Sequence, residues 1–236
     1  MKSTLPVRTM RTPRASPASP VSPADPPSPS PGSPRATSTR RAQAATPDAN
    51  PLREHILATA STLFYDRGVR AVGVDLVVDE ARIAKTSLYR YFPTKDDLIV
   101  AFLEREDLDF WSTWDGVAAR HADDPMAELE AHMGWIGERL GRSNYRGCPQ
   151  INVAAEFAEP EHPARAVAQA HMAALRRRLD VLAGRLGAAA PATLGAQLAI
   201  LVNGAFVSKD LLSLAEAADV LLGSARALVA AARTKR

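Results

Sequence analysis

The run "AKTSLYRYF" (residues 84–92) gathers Lys85, Thr86, Ser87, Tyr89, Arg90 and Tyr91 into seven consecutive positions interrupted only by Leu88. Their ammonium, guanidinium, hydroxyl and phenol groups are the donors that meet phosphate oxygens and base edges. Leu88 and Phe92 stand four residues apart and can turn inward together, so a single apolar face suffices to anchor the segment. Taken alone, such a run also suits a small aromatic cluster at a helix junction. No Ser-His-Asp or Cys-His-Asn spacing and no glycine-rich phosphate loop occurs in the chain.

A segment this short needs support from behind. Upstream, "PLREHILATASTLFYDRG" begins with Pro51 and closes with Gly68, and Ile56, Leu57, Ala60, Leu63 and Phe64 form one helical stripe. "GVDLVVDEARI" then predicts a short helix starting near Gly73, with Asp75 in its first turn. Downstream, Pro93 ends the segment and "TKDD" predicts a capping box between Thr94 and Asp97, opening a long helix over about residues 95 to 120. Further helices are expected at 125 to 140, up to Phe157, 163 to 186, 192 to 213 and 216 to 233. No alternating strand pattern and no fixed repeat appears, so the predicted fold is all-α: three short helices, then about six longer ones.

Composition separates a tail from this helical body. Residues 1–50 hold 11 of the 18 prolines with long Ser, Ala and Thr runs, a composition expected to be disordered. The same fifty residues carry seven Lys or Arg against two Asp, leaving 22 basic and 24 acidic residues in the rest. The helical body is thus not generally basic, and affinity for a polyanion must come from a local patch, with Arg35, Arg40 and Arg41 read either as solvated linker or as a phosphate-tracking arm. Met10 offers an alternative start. The single Cys148 leaves no internal disulfide framework and no cysteine-rich zinc site. With no signal-like or membrane-length apolar run, the chain is expected to be soluble and cytoplasmic. His121, Asp123, Asp124 and His132 read as an acidic turn, not a metal site, and no cofactor is expected.

Residues 52 to 98, through "EARIAKTSLYRYFPTKDDL", resemble the DNA-binding domain of the TetR/AcrR family of bacterial transcriptional regulators. The resemblance implies a helix-turn-helix over 51–97 and a helical effector-binding and dimerisation domain over 98–236. It places Lys85, Thr86 and Ser87 at base-reading positions, Tyr89 and Tyr91 on phosphates, and Lys95 as a phosphate clamp. Arg53, Gly73, Val74, Arg82, Ala84 and Arg90 complete the implied DNA-facing set. Two residues depart from the family pattern: Arg82 replaces the turn glycine and Ala84 the capping Ser or Thr, each costing roughly 1 kcal/mol. Arg82 can instead add a phosphate contact.

The C-terminal stretch "RGCPQINVAAEFAEPEHPARAVAQAHMAALRRRLDVLAGRLG" resembles the corresponding domain of one subgroup of the family. Leu194, Leu198, Leu201, Ala205, Ser208 and Leu212 repeat at four- and three-residue steps, and Leu221, Ala225 and Leu228 continue the pattern, so both terminal helices are expected to pair with a second copy as a four-helix bundle. Trp111, Trp114, Met133, Trp135, Ile136, Cys148, Phe157 and Phe206, with Asn152 and Asn203 as polar groups, are the candidate lining of an effector pocket. Asn203 can alternatively bond across the dimer. The implied function is a homodimeric regulator of a near-palindromic DNA operator, a repressor released by a small-molecule effector. The alternatives are an effector-independent DNA-binding protein and a helical enzyme using Cys148.

Overall fold

The computed structural model describes residues 50–208, 211 and 213–233, with the side chains of residues 214 and 215 left aside. The proline-rich tail, where disorder is expected, and Leu212 lie outside the described residues. Nine α-helices follow in order among them: α1 (Pro51–Arg67), α2 (Val74–Ala81), α3 (Lys85–Tyr91), α4 (Lys95–Arg120), α5 (Pro125–Leu140), α6 (Pro149–Glu156), α7 (Pro163–Arg185), α8 (Pro191–Val207) and α9 (Leu214–Ala232). None of them is long and apolar enough to cross a membrane.

Local chemistry sets most of the boundaries. The Asn50 side chain accepts the Leu52 N–H ahead of Pro51, and Asp124 accepts two amides ahead of Pro125. Both arms of the expected Thr94–Asp97 capping box are present, and Ser213 and Glu216 form a second one at α9. The helix expected over 192 to 213 ends earlier, at Val207, with Ser208 as its C-cap.

The apolar residues form two clusters. One joins α1, α2, α3 and the first turns of α4 around Ile56, Leu57, Phe64, Val77, Leu88, Phe92, Leu98 and Phe102. Val153 of α6 and Ala164 of α7 also belong to it. The other fills the C-terminal bundle, where α7 packs on α8 and α5 on α9. Two glycines let these pairs approach closely. A Cβ at Gly137 would lie 2.7 Å from that of Ala218, and one at Gly195 would meet the Asp180 backbone nitrogen at 2.8 Å.

The expected dimer face requires correction. Leu194, Leu198, Leu221 and Ala225 are buried in the chain's own core, and Leu201, Ala205 and Leu228 are half-buried against it. The reason is that α8 lies against α5, α7 and α9, so most of its circumference is already covered. The large apolar side chains that α8 leaves outward are Ile200, 73 % exposed, and Val207, 64 % exposed; Val220 of α9 and Leu211 are exposed as well.

Candidate nucleic-acid interface and apolar groove

A helix of seven residues does not hold together alone in water. Here α3 is anchored by Leu88, fully buried, and by its C-cap residue Phe92, each contributing roughly 1.5–3 kcal/mol by burial. The turn before it is a Schellman closure: Ile83 N–H donates to the Val78 carbonyl at 3.2 Å, and Arg82 sits in the left-handed region at φ 54°. Arg82 therefore takes up the conformation of the glycine it replaces. The imidazole Nε2 of His55 lies 2.9 Å from the Ala81 carbonyl, so α1 satisfies an end group of α2. Ala84 offers no side-chain cap to α3.

With Leu88 and Phe92 inward, Lys85, Thr86, Tyr89 and Arg90 project into solvent, and Arg82, Ala84 and Gly73 are exposed beside them. Ser87, Tyr91, Val74, Arg53 and Lys95 are half-buried at the margin. The Arg90 guanidinium lies over the Tyr91 ring at 4.9 Å and donates to its hydroxyl at 3.3 Å, stiffening both. Arg53 lies 5.0 Å over the Phe92 ring, which gives it a packing role in addition to its charge. Lys95 opens α4, and burial pulls its ammonium below the ordinary lysine range despite the opposing pull of Asp96 and Glu156.

One partner was missed by sequence reasoning. Asp75 of α2 accepts from Lys85 Nζ at 2.7 Å, and that hydrogen bond raises the lysine's pKa. Ten residues separate the two, so no helical spacing announces the contact. Glu156 at the end of α6 was also missed: it accepts the amides of Val69 and Arg70 at 3.1 and 2.8 Å, in the loop between α1 and α2. The arrangement presents two cations, hydroxyls and a phenol on one exposed side of α3, the donor set for a duplex groove and its phosphate edges.

The family model for bacterial regulatory proteins of the tetR family matches residues 56–102, the span that contains this face. Residues 56–102 thus match the DNA-binding domain of the tetR family. Among curated relatives, the chain is 29 % identical over 112 residues to the transcriptional regulator AcuR of Cereibacter sphaeroides, covering 47 % of this chain and 51 % of that protein. Over 53 residues it is 42 % identical to the transcriptional activator FasR of Mycolicibacterium smegmatis, covering 22 % of this chain and 24 % of that protein. The chain thus spans about half the length, or less, of such curated relatives. The likeness to SCO4454, a TetR-family transcriptional regulator from Streptomyces coelicolor, is longer: TM-score 0.74 at 25 % identity, over 78 % of this chain and 96 % of that one. The shared architecture therefore extends past the matched residues into the C-terminal helices.

In the C-terminal helices most of the expected pocket lining turns out to be core. Trp114, Met133, Ile136, Cys148 and Phe206 are buried in the C-terminal cluster, with Trp111 and Trp135 half-buried against it. The aromatic rings close on Phe110, whose centroid lies 4.9 Å from Trp111, 5.1 Å from Trp135, 6.0 Å from Trp114 and 6.3 Å from Phe206. Asn152 donates to the Arg146 carbonyl at 2.8 Å, and Phe157 stacks on His162 at 3.6 Å, both at the junction with α1 and α2. Burial pushes the Cys148 thiol up, away from thiolate character. A groove of about 670 Å³ lies instead between α6, α7 and α8, lined by Gln150, Ile151, Arg165, Met172, Asn203 and Val207 among others. Of the predicted lining residues only Asn203 belongs to it.

Proposed function

We propose that the chain is a dimeric DNA-binding transcriptional regulator, a repressor that leaves its operator when a small molecule binds the C-terminal helices. Residues 51–97 act as the DNA-binding unit and 98–236 as the regulatory and dimerising unit. The observation that carries this reading is the outward face of α3, with Lys85, Thr86, Tyr89 and Arg90 exposed while Leu88 and Phe92 fix its back in the N-terminal core. Two such faces related by a dyad reach successive major grooves on one side of a duplex. The second copy docks on the apolar strip that α8 and α9 leave outward, Ile200, Val207, Leu211 and Val220.

The groove favours effector control over constitutive binding, because its volume falls in the range of small-molecule sites. Helix α6 supplies a physical connection. Gln150, Ile151 and Ala154 line the groove, while Val153 is buried in the N-terminal cluster and Glu156 holds the loop after α1. An occupant that prefers one position of α6 lowers operator affinity by its differential binding energy.

Selection of duplexes from a randomised pool by the full chain tests the reading. Recovered sequences are expected to carry two half-sites about a dyad, to lose binding when one is scrambled, and to bind with a steep salt dependence. Recovery of no preferred sequence, or salt-insensitive binding, rejects it.

A further inference from the structure

Three buried polar atoms that lack a hydrogen-bond partner among the described residues belong to side chains lining one groove: Gln150 Oε1, Asn203 Oδ1 and Arg165 Nε. Gln150 is 2 % exposed. Its Nε2 donates to the Leu103 carbonyl at 2.9 Å, which settles which end of the amide is which, since only the nitrogen can donate to a carbonyl. Its oxygen is therefore an acceptor with no donor. Arg165 has no carboxylate partner among the described residues; its Nη1 holds the Ala154 and Phe157 carbonyls at 3.2 and 2.7 Å. The remaining walls are mainly apolar, from Ile151, Ala154, Ala168, Met172, Ile200 and Val207.

These atoms restrict what can fill the groove. A hydrocarbon satisfies the walls and leaves all three polar atoms orphaned, a costly arrangement in a dry site. An anion satisfies Arg165 but sets negative charge against two amide oxygens. A cation satisfies the oxygens and repels the guanidinium. We propose that the groove binds a neutral, largely apolar molecule whose polar end carries both an N–H donor and a carbonyl acceptor, the carboxamide being the simplest such group. The N–H group meets Gln150 Oε1 or Asn203 Oδ1, and the carbonyl accepts from Arg165 Nε, each after a small turn of the side chain that brings the shielded atom to the groove. This assignment rests on reading the C-terminal helices as the effector-binding unit. Ile200 and Val207 form the outer lip and also belong to the proposed dimer face, so a second copy covers the lip and leaves the three polar atoms to the occupant.

Calorimetric titration of the full chain with decanamide, decanoate, methyl decanoate and decylamine compares one apolar body with four polar ends. Decanamide is expected to bind about tenfold or more tightly than the other three, the equivalent of one or more additional good hydrogen bonds. Asn203→Leu, which removes an unpartnered group, is expected to bring decanamide close to the methyl ester while the melting curve holds. Gln150→Met gives the same comparison from α6 if Asn203→Leu fails to fold. Decanoate binding as tightly as decanamide, equal binding of all four, or no binding of any overturns the assignment. The same preparations are assayed for duplex selection. Retained sequence preference without an amide preference overturns only the ligand class, whereas an amide preference without duplex selection supports the ligand class and removes the regulator reading.

Discussion

Lys85 Nζ lies 2.7 Å from Asp75 Oδ1, so the first cation of the exposed α3 face is already paired with a carboxylate on the neighbouring helix. Both groups are well exposed, and such a pair is weak in stability terms. Its effect is on orientation and charge: the ammonium is aimed, and part of its attraction for any phosphate is cancelled. Asp75→Asn is expected to leave the melting temperature nearly unchanged, to strengthen binding to arbitrary duplex, and to steepen the logarithmic salt slope by about one. The ratio of specific to arbitrary binding falls. Fluorescence anisotropy at several salt concentrations reads all of these, and an unchanged slope and ratio rejects a role for the pair.

Arg82 occupies a left-handed position at φ 54°, where an L side chain is strained. Arg82→Gly is expected to stabilise the chain by about 1 kcal/mol, raising the melting temperature by roughly 2–4 °C. Ala84→Ser, which restores an N-cap to α3, is expected to add about 0.5–1 kcal/mol. If Arg82 also touches phosphate, Arg82→Gly loses duplex affinity at low salt while Ala84→Ser does not.

His132 is fully buried, stacks on Trp114 at 3.7 Å and has no hydrogen-bond partner for either ring nitrogen among the described residues. Burial pulls its pKa down from 6.5 to about 3, with smaller contributions of the same sign from His121 and Arg178 and an opposing one from Asp115. The unfolded chain therefore binds this proton first as pH falls. Stability from keeping the ring neutral is full above pH 6.5 and is lost progressively toward pH 3, by about 2 kcal/mol at pH 5. His132→Phe removes that part of the acid loss, so its melting temperature declines less between pH 7 and 5 than that of the parent chain. Parallel declines refute the assignment.

The outward strip and the inward stripe of α8 are separated by charge insertion. Ile200→Glu combined with Val220→Glu is expected to give a folded monomer by sedimentation, with unchanged circular dichroism and lost operator binding. Leu198→Glu instead buries an unpaired carboxylate and is expected to unfold the chain. A double variant that still sediments as a dimer places the interface elsewhere.

Glu156 bonds the amides of both Val69 and Arg70, and the Arg70 guanidinium returns to the Glu156 carbonyl at 2.9 Å. Glu156→Gln leaves one amide without an acceptor and is expected to cost about 1–2 kcal/mol. It is also expected to weaken the effect of groove occupancy on duplex binding. Unaltered coupling would show that α6 does not transmit through this contact.

The sequence by itself determined the helices and the exposed segment, because both depend on short-range rules. Helical periodicity, the Thr94–Asp97 box, the prolines at helix starts and the strained turn at Arg82 are written within a few residues of where they act. Leu88 and Phe92 reveal the back of α3 by spacing alone, and its donors follow on the other side. Tertiary structure decided what needed neighbours. In α8 nearly every face is apolar, so periodicity cannot say which stripe α5, α7 and α9 will cover; they covered Leu194 and Leu198 and left Ile200 and Val207. The groove joins Gln150, Arg165 and Asn203 from three helices, and Lys85 meets Asp75 across a turn, contacts that exist only once the chain has folded.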